Sequence, residues 1–387
     1  MKIAVNTYSL QPSPTGIGRY TSGLLRELIN HPDVEDICGL SAHGLLSRSE
    51  LCNLLDGMDK TTEAGTTSWR KYMAMLPGAH SAWRLLKDVQ AWRASRLLEG
   101  YCYWEPSFIL MPFAGPSVAT IHDLSHIHHP EYHPAYRVKM LNKMLPQTFA
   151  KATRLNAVSA FTRQALREEG IQSPIDLVHP GVDDQFFTVS TAERQRCRLQ
   201  LNLPDQYILS VATLEPRKNL ERVIKAFLSL PESMRMATPL VLAGTRGWHS
   251  DAIESAISSL QSRGQAIRLG YVDQSLIPAL YANATLTLYV SHYEGFGMPI
   301  IESMAAGTAV LTSDRTSMPE VAGGHALLAN PESTDSIASQ LQTLLANQEL
   351  RRTLAMDGQI HASRYRWQHS AHQLLNSLAQ AQQEYTA

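Results

Sequence analysis

The sequence predicts an α/β protein made of two doubly wound domains with parallel sheets, and three observations carry that expectation. Short apolar runs alternate with longer amphipathic stretches along almost the whole chain, the pattern of right-handed β–α–β units. The chain is 387 residues long and 44% hydrophobic, which suits two ordinary cores better than one. The alternation breaks near the middle, where residues 184–205 are polar and hold no strand-like run.

In the first half, strands are expected at 2–6, 35–40, 107–111, 117–122, 154–158 and 175–179. In the second half they are expected at 207–213, 239–243, 266–269, 285–290, 309–312 and 325–328. The domain break then falls just after His179-Pro-Gly-Val-Asp183, giving a first domain of residues 1–184 and a second of 185–365. Residues 366–387 read as a terminal helix, because Trp367, Ala371, Leu374, Leu375 and Leu378 recur at helical spacing. Ligands of open parallel sheets bind outside the carboxyl ends of the strands, so residues just after strands are the first place to look for a site.

Composition narrows the function classes. A formal net charge of −1 gives no reason to expect nucleic-acid binding across the surface. The four cysteines, Cys38, Cys52, Cys102 and Cys197, are scattered without C-x-x-C spacing, as in a reduced cytoplasmic protein. The opening apolar run at residues 1–6 is too short for a signal peptide, and no stretch approaches the roughly 20 apolar residues that span a bilayer. A soluble protein, or one peripheral to the inner face of the cytoplasmic membrane, is expected.

The densest chemistry lies in Ser291-His-Tyr-Glu-Gly-Phe-Gly-Met-Pro-Ile-Ile-Glu302, which follows the apolar run 285–290. A strand, a glycine turn and a helix starting at Met298 with Pro299 in its first turn leave backbone N–H groups free at the strand's end. Glu294 and Glu302 beside those donors can accept hydrogen bonds from a polyhydroxylated ligand. Thr213-Leu-Glu-Pro-Arg-Lys-Asn-Leu220 places Arg217 and Lys218 after another strand, where cations can meet a diphosphate.

This segment resembles the E-x7-E signature of the retaining, nucleotide-sugar-dependent glycosyltransferases of family 4, which have the GT-B fold. Thr213–Leu220, Gly270-Tyr-Val272, Ser317-Met-Pro-Glu-Val321 and Thr120-Ile-His-Asp-Leu124 resemble other motifs of that family in the same order. The resemblance covers nearly the whole chain and is weakest over residues 41–101. It implies that Glu302 takes the ribose hydroxyls, Glu294 the transferred sugar, and Arg217 and Lys218 the diphosphate. It implies as well that the N–H groups of Phe296, Gly297, Met298 and Ile300 surround the donor, Pro299 having none to give. Tyr271 and Val272 are expected to hold the nucleobase, with Thr312 and Ser313 bordering the pocket. The chain departs from the family pattern at His325 and Asn330, near which aspartates are common.

Thr15-Gly-Ile-Gly-Arg-Tyr20 opens a helix and resembles the family's glycine loop, which implies that Gly16 and Gly18 approach the donor and Arg19 and Tyr20 the acceptor. Thr21 in the third glycine position and the long gap after residue 6 argue against a dinucleotide-binding G-x-G-x-x-G and a hydride-transfer enzyme. His122 corresponds to the family's histidine beside the reacting centre, with Asp123 orienting it or the acceptor. His122, His126, His128, His129 and His133 form a histidine-rich run, yet they span a strand end and a proline-flanked loop with no cysteine nearby. No metal and no cofactor beyond the nucleotide-sugar co-substrate are expected, and the last four histidines are expected on the surface.

The resemblance implies front-face attack with retention, Glu294 being the alternative nucleophile. The stretch from Trp69 to Arg93 mixes aromatic and basic residues and suits either contact with an anionic membrane surface or packing on the first domain. Likeness to O-antigen mannosyltransferases implies mannose transfer from GDP-mannose to a glycan or lipid-linked oligosaccharide acceptor. GDP-rhamnose, UDP-glucose, a glycogen- or sucrose-synthase-like activity and a non-catalytic sugar-nucleotide binder are the alternatives.

Overall fold

The computed structural model describes residues 1–11, 15–41, 44–60, 93, 95–248 and 250–386. The aromatic and basic segment from Trp69 to Trp92 lies outside the described residues.

Among the described residues the first domain holds seven strands: β1 Lys2–Asn6, β2 Asp36–Ser41, β3 Gly44–Leu46, β4 Tyr101–Glu105, β5 Ser117–Ile121, β6 Arg154–Ala157 and β7 Ile175–Leu177. They lie in the order β3-β2-β1-β4-β5-β6-β7, parallel except for β3 against β2. The second domain holds β8 Ile208–Val211, β9 Leu240–Ala243, β10 Ala266–Gly270, β11 Leu286–Tyr289, β12 Val310–Ser313 and β13 Leu327–Ala329. Its sheet is parallel throughout, in the order β10-β9-β8-β11-β12-β13. The strand order reverses between β1 and β4 in one sheet and between β8 and β11 in the other, and such reversals open a crevice for ligands at the carboxyl ends.

One expected strand is absent and two observed strands, β3 and β4, are not anticipated. Residues 107–111 form no strand; Phe108 has a φ of +40°, and Leu110 N–H donates to Thr148 Oγ1 at 2.9 Å, not to a ladder. That loop buries Phe108 and Met111 without sheet geometry, so apolar content alone misled. The strand is Tyr101–Glu105 instead, and it ends on a carboxylate buried at the sheet's edge of the crevice. Glu105 accepts from Asn6 Nδ2 (2.7 Å), Tyr103 Oη (2.7 Å) and the N–H and Oγ of Ser107 (both 3.0 Å). The exposed edge strand β3 carries no apolar alternation to announce it.

The polar stretch after Asp183 contains a short turn, Asp184–Phe186, and a helix, Thr191–Gln200. Ser190 and Glu193 form a reciprocal capping box at its start. This helix packs on the second domain through buried Cys197, and Asn283 Nδ2 donates to Arg194 O at 2.9 Å. The last helix, Trp367–Thr386, lies on the first domain, against β4 to β7 and the helix Gly16–Ile29. Trp367 Nε1 donates to Asp183 Oδ1 at 2.8 Å and Ser377 Oγ to Asn156 Oδ1 at 2.7 Å. Gly23 exists for this packing: a Cβ there would sit 2.6 Å from Cδ2 of Trp367. No helix among the described residues is long and apolar enough to cross a membrane.

Candidate active site

Glu294 sits after β11, in the turn leading to the helix Met298–Ala305, and Arg217 and Lys218 sit in the short turn Pro216–Lys218 after β8. Because β8 and β11 are neighbours at the strand-order reversal, these three side chains converge. Arg217 Nη1 and Lys218 Nζ each lie 2.7 Å from one carboxylate oxygen of Glu294. Arg217 also donates to Tyr293 O at 2.8 Å and to buried Glu215 at 2.9 Å, while Lys218 donates to Tyr289 Oη at 2.9 Å. Burial pushes the Glu294 carboxyl up, but the Arg217 and Lys218 charges outweigh it and hold the group at about 2. Asp123 shows the same balance: burial raises it, Arg217 and the Ser125 hydrogen bonds lower it further, and it rests at about 2. Glu215 and Tyr289, which sequence reasoning missed, thus help to hold the two cations beside Glu294. Their flanking of the Arg-Lys pair and of residue 290 is the only trace of them in the chain.

Glu302 projects from the helix and is 1% exposed. The guanidinium of Arg19, from the opposite domain, makes ionic contact with it. The buried Tyr281 hydroxyl lies beside the same carboxylate, and burial together with the Glu302 charge raises its pKa well above the ordinary tyrosine value. Arg19 is expected to face an acceptor; the structure places its guanidinium on Glu302.

Tyr20 is corrected more sharply. It is buried, its hydroxyl donates to Val178 O at 3.3 Å, and its ring packs edge-on against Trp104, His122 and Trp367. It is a core residue supporting His122, with no face left for an acceptor. Ile300 is corrected as well, since its N–H donates to Gly297 O at 2.9 Å and cannot serve a ligand. The N–H groups of Phe296, Gly297 and Met298 make no hydrogen bond among the described residues, and Gly297 reaches the turn with a φ of +104°. Gly16 is exposed at the start of its helix, whereas the Gly18 N–H is turned to the cap of Thr15 at 3.4 Å. Tyr271 is half-buried and Val272 buried, just after β10. Thr312 Oγ1 donates to Tyr289 O at 2.8 Å, so it braces β11.

His122 directly follows β5, with Nε2 2.7 Å from Pro106 O. That bond fixes Nε2 as the donor and leaves Nδ1 as an acceptor in the neutral ring. Burial keeps the ring's pKa below the ordinary histidine value, against the Pro106 bond and Asp123. Its carbonyl packs directly on the Cα of Gly295, so the two domains touch there through backbone. The other histidines do not converge. Contrary to expectation, His126 and His133 are buried, His126 against Phe108 and His133 on Ser125 Oγ at 2.8 Å. His128 and His129 pair with Glu169 and Glu131, each at 3.1 Å. Among the described residues no cluster of three His, Cys, Asp or Glu side chains is arranged to hold a metal ion.

Residues 14–186 match the family described as Glycosyltransferase Family 4, and residues 191–360 match Glycosyl transferases group 1. The O-antigen chain mannosyltransferase B of Escherichia coli is 31% identical over 97% of this chain and 99% of its own length. This chain belongs to the family 4 glycosyltransferases. A second relative of the transferase, the serotype-specific mannosyltransferase WbdA of Escherichia coli, is 30% identical over 66% of this chain but only 32% of that longer protein. In fold it is similar to WaaG, a glycosyltransferase involved in lipopolysaccharide biosynthesis, with a TM-score of 0.70 and 18% identity over 97% and 99% of the two chains. The fold is GT-B: two parallel-sheet domains facing each other.

Proposed function

We propose that this glycosyltransferase moves mannose from GDP-mannose to a glycan acceptor, lipid-linked, in surface-polysaccharide assembly. The observation that carries the reading is the convergence of Arg217, Lys218 and Glu294 at the strand-order reversal, in a chain alignable end to end with an O-antigen mannosyltransferase. Glu294 accepts from the hydroxyls of the transferred sugar and Glu302 from the ribose. Arg217 and Lys218 meet the diphosphate. Two of the three Lys218 N–H groups are engaged, by Tyr289 and Glu294, which leaves one for a phosphate oxygen.

In the step itself, the bond from the sugar's anomeric carbon to the phosphate oxygen breaks and a bond to the acceptor oxygen forms on the same face. The acceptor's proton passes to the departing phosphate oxygen, so configuration is retained without an enzymic nucleophile. Negative charge grows on the leaving diphosphate, and pre-placed cations lower that barrier because they need no reorganisation. Neutral His122, backed by Tyr20, offers Nδ1 as its acceptor for the sugar, its carbonyl being packed against Gly295. Cations take the place a divalent metal would fill.

The test is a thermal-shift series with GDP, UDP and ADP, followed by transfer from the matching nucleotide sugars with product anomers read by NMR. GDP should raise the melting temperature most, since a ligand that binds only the folded state stabilises it. Transfer should persist in chelator. A larger shift with UDP, an inverted product or loss of turnover in chelator would each overturn the corresponding part.

A further inference from the structure

The motif Ser317-Met-Pro-Glu-Val321 takes no direct part in the chemistry above, yet its two polar side chains reach the centre of the molecule. Ser317 Oγ lies 2.9 Å from Glu294 O and 2.8 Å from Phe296 O, so it holds the turn that carries Glu294. Glu320, three residues on, crosses to the first domain. Its two carboxylate oxygens accept from the N–H groups of Ala160 (2.8 Å) and Phe161 (3.0 Å), the first residues of the helix Ala160–Glu168. The cap of that helix, Ser159, donates its hydroxyl to Gly295 O at 2.5 Å, and Thr162 Oγ1 donates to the same carbonyl at 3.1 Å.

One helix start is therefore fastened to the second domain at two points, the Glu320 carboxylate and the carbonyl beside Glu294. The same helix start lies within reach of the His122 carbonyl, which Thr162 Oγ1 approaches at 3.5 Å. Two free helix N–H groups and a carboxylate attract one another through charge-assisted hydrogen bonds and the helix dipole. His179 Nε2, 3.9 Å from Glu320, sits on the same side.

We propose that Glu320 is a positioning residue for sugar transfer: it bolts the helix Ala160–Glu168 to the donor domain and so sets the distance between His122 and the Glu294 turn. It touches neither donor nor acceptor. The proposal rests on the transferase reading of the Glu294 site for its kinetic consequence, but not for the contact itself.

Two measurements separate these. Amide hydrogen exchange on the whole purified chain should show the Ala160 and Phe161 amides exchanging about tenfold faster in Glu320→Ala than in the unaltered protein, with Glu320→Gln in between and residues 164–168 unchanged. Steady-state transfer should show kcat falling by about tenfold in Glu320→Ala while the donor KM stays within roughly threefold, and partial recovery in Glu320→Gln. Unchanged exchange at Ala160 and Phe161 overturns the bolt. Faster exchange with full kcat, or a loss confined to KM, overturns the positioning role. If the unaltered protein transfers no sugar from any nucleotide donor, the functional reading has failed, and the exchange result still decides the contact.

Discussion

Gly295→Ala is the sharpest perturbation of the site. A Cβ at position 295 would lie 2.7 Å from the His122 carbonyl carbon and 2.9 Å from Asp123 Cβ, with the carbonyl oxygen closer still. Carbon atoms in contact rest about 3.5–4.0 Å apart, so the turn and His122 must separate by roughly 1 Å or more. The obstacle is backbone on one side and the Cβ of half-buried Asp123 on the other, neither of which can rotate away. That movement strains the Ser159 and Thr162 bonds to Gly295 O and carries Glu294 away from His122. A displacement of about 1 Å in a reacting geometry costs on the order of 100-fold in rate, or about 2.7 kcal/mol of barrier. The assay is single-turnover sugar transfer with saturating donor, beside a melting curve that confirms folding. A folded Gly295→Ala enzyme that keeps more than about a tenth of its turnover would refute the claim that His122 and the Glu294 turn act at their observed separation.

Three further outcomes are expected. Arg217→Ala should depress kcat more than donor affinity and should shift acid unfolding: Asp123 and Glu294 are held at about 2, so their stabilisation is full above the ordinary carboxylate range near 4 and is lost as pH falls through about 2. Without Arg217 both titrate higher and the acid transition, followed by circular dichroism, moves to higher pH; an identical midpoint contradicts the pairing. Glu302→Ala should raise the Kd for the nucleoside diphosphate by about tenfold, the worth of hydrogen bonds to a charged group, as read by calorimetry; equal Kd values rule out the ribose role. Gly23→Ala drives a methyl into the Trp367 ring and should cost about 1–3 kcal/mol in urea unfolding, with a normal midpoint refuting the close approach of the last helix.

The sequence by itself determined the architecture and the chemical vocabulary. Alternation of apolar strands with helical stretches requires parallel sheets, because only β–α–β crossovers bury both faces of such strands. Glu294, Arg217 and Lys218 were legible because each follows a strand, and strand ends of one sheet share one crevice. Local pattern failed where tertiary contacts outweighed it. Residues 107–111 are apolar because their loop is buried, not because it is a strand, and β4 hid behind the charge of Glu105, whose donors come from Asn6 and Ser107. Only the tertiary structure decided which side chains remain for ligands: Tyr20 went to the core, the Ile300 N–H to Gly297, Arg19 across the cleft to Glu302, and Glu320 to the opposite helix. These are pairings between residues far apart in the chain. Their energies depend on desolvation and on who arrives at hydrogen-bonding distance, quantities that no spacing along one strand of text contains.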